Sequence, residues 1–137
     1  MSVDFSLTDV GYFIDSYGWK YTKQSDDELL IVFTGENSNT EFHLVLGISE
    51  NWLAITIWPY LFPFPPEKEL EALKEICKVN FDIKMARLAM KTSGEITLCI
   101  DLPLNNLTES GFHLALDLIT YYADTLHPIF VKFWEKE

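Results

Sequence analysis

Few side chains in this 137-residue chain offer nucleophilic, acid–base or metal chemistry: the three histidines His43, His113 and His127, and the two cysteines Cys77 and Cys99. His113 and Asp117 stand one helical turn apart, a spacing that supplies half of a metal site, and two ligands do not complete one. As a bland alternative, they form an exposed pair beside an apolar helix face. His43 follows Glu41 by two residues on the outer face of a strand, a surface position. Cys99 falls on the polar side of its strand, where an exposed thiol is expected, but nothing near it in sequence would depress its pKa. The chain has no phosphate-cradling glycine loop, no nucleophile elbow, no Cys-x-x-Cys and no His-Glu-x-x-His. Only His43, His127 and a carboxylate gathered by the fold would make a catalytic cluster. The expectation is a protein with no catalytic residues, no metal and no cofactor.

What the chain has in surplus is apolar surface. Hydrophobic residues make up 48% and aromatics 15%, more than the core of a small domain demands. Trp52 and Trp58 fall on one face of a strand, and Tyr60, Phe62 and Phe64 follow in the proline-rich run WPYLFPFPP. Aromatics are enriched where proteins bind one another, which makes these five a candidate protein-binding set; the competing reading is that they cover the core. A stripe of Leu114, Leu118 and Tyr121 beside the main apolar face of the last helix is a candidate homodimer seam, with the same alternative.

The balance of 10 basic and 21 acidic residues gives a formal charge of −11. With the basic residues scattered, that field repels nucleic acid and anionic bilayers. The cysteines show no framework spacing, and the first ten residues show no signal-peptide pattern. No apolar run approaches the roughly 20 residues of a membrane span. These features predict a soluble, cytoplasmic protein. A chain of this length forms one domain, residues 1–137, and buries about two thirds of its unfolded surface.

The elements that would position these residues follow from periodicity. Ser6 and Asp9 fit a capping box, Val10, Phe13, Ile14 and Tyr17 repeat at helical spacing, and Gly18 closes the helix. Strands are predicted at Trp19–Gln24, Leu29–Thr34, Thr40–Ile48 and Trp52–Trp58, joined by short turns as an antiparallel meander. The unbroken apolar run of the second places it centrally in the sheet. Trp58–Pro66, with four prolines, reads as an extended loop. Pro66 then opens a helix, Glu67–Val79, packing through Leu70, Leu73, Ile76 and Cys77.

The last third is the most sharply patterned. Ala86, Leu88 and Met90 alternate in Lys84–Lys91, and Ile96, Leu98, Ile100 and Leu102 alternate in Glu95–Leu102. Gly94 turns between them and Pro103 ends the pair. From Thr108 a long helix carries Phe112, Ala115, Leu116, Ile119, Tyr122, Ala123, Leu126 and Phe130 on one face, and Pro128 is expected to kink or interrupt it. The order helix, four strands, helix, two strands, helix is that of an α+β fold with helices on one side of an antiparallel sheet.

This stretch, from the Asn80 lead-in through KMARLAMKTSGEITLCIDLPL to a helix ending in YYADTLHPIF, resembles the YbjN family of bacterial regulators, whose fold is similar to that of type III secretion chaperones. The resemblance is close over about a third of the chain and follows element order elsewhere. It implies a chaperone-like α+β fold, often dimeric, acting through partners, and it assigns no residue a chemical role. The expectation is a non-enzymatic protein-binding module, chaperone-like or regulatory, with a basic or amphipathic partner. The alternatives are a small-ligand sensor with a pocket between sheet and long helix, and a structural subunit that only self-assembles.

Overall fold

The computed structural model describes residues 5–135. Helix α1 (Leu7–Tyr17) starts as its capping box dictates: the Ser6 amide and hydroxyl both donate to the Asp9 carboxylate, at 2.9 and 3.1 Å. It ends at Gly18, whose φ of +94° is open to glycine at little cost. Strands β1 (Thr22–Ser25), β2 (Glu28–Thr34), β3 (Glu41–Ser49) and β4 (Trp52–Leu61) follow as a meander. After a 3-10 turn at Pro66–Lys68 come α2 (Glu69–Asp82), the hairpin β5 (Arg87–Met90) and β6 (Ile96–Pro103), and α3 (Glu109–Val131). The sheet order is β1-β2-β3-β4-β6-β5, antiparallel throughout.

Register turns the alternation of each strand into one continuous buried surface. Ile31, Leu44, Ile57, Leu98 and Leu88 pair in sequence across five strands, and all are buried. The parallel row of Leu29, Leu46, Ile55 and Ile100 does the same. Onto this face α3 lays Phe112, Leu116, Ile119, Ala123, Leu126 and Phe130, capped at its start by Thr108, whose hydroxyl accepts the Gly111 amide at 3.0 Å. α1 packs on α3 and β2, and α2 packs on β5. Asn80 near the end of α2 grips β5 by both backbone groups of Leu88, at 2.8 and 3.0 Å. The three helices therefore leave the other face of the sheet without a roof.

Several expectations need correction. β2 lies second from the edge, not centrally, and buries only one face: Leu29 and Ile31 point inward while Val32 is exposed. β1 begins three residues later than expected, at Thr22. The aromatic–proline run is not all loop, because β4 continues to Leu61 with Pro59 inside it. Its pairing with β6 breaks register between Ile57 and Leu61, and a proline is tolerated in such an irregularity. α2 packs through Ala72, Ile76 and Val79; Leu70 and Cys77 face solvent. α3 runs through Pro128 without interruption. Met90, at the end of the edge strand, is exposed.

Candidate functional site

Among the described residues, the titratable side chains do not gather into a reactive centre. His113 Nε2 lies 3.1 Å from both the Ser16 hydroxyl and the Phe13 carbonyl, and the Tyr17 hydroxyl donates to Asp117. The pair that resembled half a metal site is neither that nor an idle exposed pair: it bolts α1 onto α3. Burial, and then the adjacent Asp117 carboxylate, push the Tyr17 hydroxyl well above the ordinary tyrosine range, so it stays a donor. His43 sits on the outer face of β3, 3.6 Å from Glu41. His127 meets the rings of Phe42 and Tyr60 edge-on under the inner face, where burial lowers its pKa and keeps it neutral at pH 7. The sheet stands between these two histidines. Among the described residues no group of three or more His, Cys, Asp or Glu side chains is placed to hold a metal ion, and no helix is long and apolar enough to cross a membrane.

Cys99 reverses its expectation. It lies on the outer side of β6 yet is buried, because Arg87 directly opposite runs past it to Asp101, 2.8 Å away. Burial raises the thiol pKa, which the Arg87 charge opposes only in part. Alkylation with iodoacetamide under native conditions is therefore expected to modify Cys77 and spare Cys99, both reacting once the chain is denatured. Equal native rates, read by intact mass, would contradict this placement.

The five candidate aromatics divide. Trp52 and Trp58 are 49% and 42% exposed and Phe62 is 68% exposed, whereas Tyr60 and Phe64 are 4% and 5%. Tyr60 and Phe64 are thus withdrawn from the outward-facing set. The Tyr60 hydroxyl donates to the Ala123 carbonyl at 2.8 Å, and Phe64 stacks on Trp134 with ring centroids 4.8 Å apart. Of the helical stripe, Leu114 and Tyr121 are exposed and Leu118 is partly buried.

Trp52 and Trp58 stand six residues apart on the outer side of β4, with Ala54 and Thr56 between them. Paired across the strands are Gly47 and Val45 on β3, and Asp101 and Cys99 on β6. Small side chains thus floor a trough of about 690 Å³, whose lining includes Val45, Gly47, Ala54 and Thr56. Trp58 with Lys91 walls one side, and Asp27 and Glu28 the other. The Lys91 ammonium lies 3.9 Å above the Trp58 ring centroid. Alternation on β4 revealed the tryptophans in the sequence. The acidic wall was missed, because only the pairing of Glu28 with Gly47 carries it to this site.

Such a surface suits recognition by apolar contact rather than bond making. A family model, YbjN, described as "Putative bacterial sensory transduction regulator", matches residues 6–129. No curated protein matches the chain. Among solved structures, the fold matches a chain of the heterodimeric ExoU–SpcU complex of the Pseudomonas aeruginosa type III secretion system, at 16% identity and TM-score 0.62, covering 92% of this chain and 98% of that one. It matches "YbjN, a putative transcription regulator from E. coli" at 12% identity and TM-score 0.64, covering 94% and 96%. It also matches a chain of the HopA1–SchA chaperone–effector complex at 12% identity and TM-score 0.60, covering 90% and 98%. At these identities the likeness is one of fold: a type III secretion chaperone-like α+β fold.

Proposed function

The chain belongs to the YbjN family, and from that premise we propose that it is a non-enzymatic protein-binding module, chaperone-like or regulatory, acting as a single domain in the cytoplasm. The observation that carries this reading is the trough on the unroofed sheet face, walled on one side by the half-exposed Trp58 over a floor of small side chains, with the half-exposed Trp52 on the same outer side of β4. Aromatic anchors beside small residues give a partner large contact area with little side-chain ordering. That two of the matched structures are complexes, one named as chaperone with effector, supports the same reading. The volume also falls in the range of small-molecule sites, but a trough with no helix over it leaves one side of such a ligand in water. A polypeptide is the better occupant.

Quantitative capture from native extract tests the proposal. Trp52→Ala/Trp58→Ala is expected to keep the native melting temperature, since both rings are half-exposed, and to weaken capture at least about tenfold. Leu70→Ala, on solvent-facing α2, is expected to leave capture unchanged. Undiminished capture by the folded tryptophan variant would sink the sheet-face reading.

The exposed Leu114 and Tyr121, with Leu118 between them, favour a further element of the proposal, a homodimer seam along α3. If it exists, Leu114→Ser/Tyr121→Ser halves the mass measured by sedimentation. A wild-type protein of monomer mass at tens of micromolar would dismiss it.

A further inference from the structure

The trough is electrostatically lopsided. The basic side chains that reach the open face are already engaged: Arg87 is hydrogen-bonded to Asp101 at 2.8 Å, and Lys91 is held over Trp58. Lys23, close to the β1–β2 turn, pairs with Asp26 at 3.8 Å. Asp27 and Glu28, which form the opposite wall, have no cationic partner among the described residues. Their position over the floor is fixed by the backbone. Glu28 pairs with Gly47, and a Cβ at Gly47 would touch the Asp27 carbonyl at 3.5 Å and the Glu28 Cγ at 3.7 Å. The turn thus leans over a strip of bare main chain.

We infer that the trough receives a basic segment of a protein partner, with a lysine or arginine set against Asp27 and Glu28 and an apolar neighbour seated on Val45, Ala54 and the Trp58 ring. This rests on the reading of the chain as a protein-binding module and specifies the chemistry of its partner. A long basic side chain suits the geometry because its methylene stem can cover Gly47 and Val45 while its charge stays at the wet acidic rim. The overall charge of −11 attracts such a segment from a distance and opposes a second copy of the chain or an acidic segment on the same face.

The test uses three labelled pools of eight-residue peptides, randomised over Ala, Val, Ser and Tyr, with two fixed lysines, two fixed glutamates or no charged residue. Affinity is read by fluorescence anisotropy, and location by NMR shifts of the Trp58 indole and the Ala54 and Thr56 amides. The lysine pool is expected to bind about tenfold tighter than the glutamate pool, to shift those signals and to weaken as salt rises. Asp27→Asn/Glu28→Gln is expected to lose that preference, and Asp27→Lys/Glu28→Lys to invert it. Should either variant fail to fold, the salt series on the native protein decides: a lysine-pool affinity that does not respond to salt overturns the inference.

Equal binding of the lysine and glutamate pools, or no binding by any pool, also overturns it. Neither result touches the protein-binding reading, which stands or falls on the tryptophan-dependent capture. Lysine-pool binding that leaves the trough signals unmoved overturns the location. Concentration-dependent shifts of the same signals without peptide would assign the face to a second copy and overturn the inference likewise.

Discussion

Alanine in place of Phe64 is expected to lower stability by about 3–5 kcal/mol, while alanine in place of Phe62, two residues earlier, changes it by less than about 0.5 kcal/mol. The two phenylalanines flank Pro63 and share a composition, so no argument from sequence separates them. Phe64 is almost wholly buried among Phe130, Phe133 and Trp134, stacked on the last at 4.8 Å. The Trp134 indole donates to the Pro63 carbonyl at 3.1 Å, tying the C-terminal turn to the run that leaves β4. Deleting the Phe64 ring opens a cavity that these neighbours fill only by giving up one another's contacts, and a melting-temperature fall on the order of 10 °C or more follows. Phe62 points to water and loses almost nothing. If urea midpoints showed both variants alike, the C-terminal turn would not be docked on this segment. The pair also separates stability from binding. A capture defect in Phe62→Ala would be read as lost contact, whereas one in Phe64→Ala would first be read as lost fold.

Much of the fold was legible because its signals are local. The Ser6–Asp9 box, Gly18 and Gly94 at positive φ, and the alternations in β3, β4 and β6 each concern residues within one turn or strand. Periodicity reports which faces are buried but not how many neighbours a strand has. The apolar run Leu29–Phe33 therefore suggested a central strand, although Leu30 and Val32 only face the open side of a near-edge one. Side-chain size misled the reading of α2: Leu70 drew the seam toward itself, while the real seam passes through the smaller Ala72 and Val79. The direction taken after Pro59 is set by α3 and the chain end, more than sixty residues away, through Tyr60 to Ala123 and Trp134 to Pro63. That is why the outward-facing Trp52 and Trp58 could be read and the inward Tyr60 and Phe64 could not.

Long-range fixing of another turn carries a pH-dependent consequence. Asp124, on the partly exposed side of α3, accepts the backbone amides of Asn37 and Ser38 at 3.0 and 2.8 Å and the Asn37 side-chain amide at 3.0 Å. It holds the β2–β3 turn from a distance of 86 residues in sequence. Gly35 lies so close that a Cβ there would run into the same carboxylate. Burial alone would raise the pKa of Asp124, but the donated hydrogen bonds from Ser38 and Asn37 outweigh it and hold the carboxyl below its ordinary 3.8. A folded pKa below the unfolded one means that the stabilisation is complete above about pH 4 and is lost as pH falls through the lower folded value.

Asp124→Ala, which removes the acceptor and leaves the turn amides to water, is expected to cost about 2 kcal/mol at pH 7, a figure discounted for the exposure of the carboxylate. Asp124→Asn keeps one acceptor oxygen without the charge and is expected to cost about half as much. Urea midpoints of the native chain and both variants, taken at pH 7 and near pH 2.5, decide the matter. The gap between native and Asp124→Asn should shrink on acidification, since the native carboxyl then approaches the neutral state that the amide imitates. A gap that stays constant with pH would mean that the turn is held by shape and packing, with the carboxylate charge contributing nothing. A gap that widens would reverse the direction assigned to the pKa, and with it the account of how α3 holds the turn.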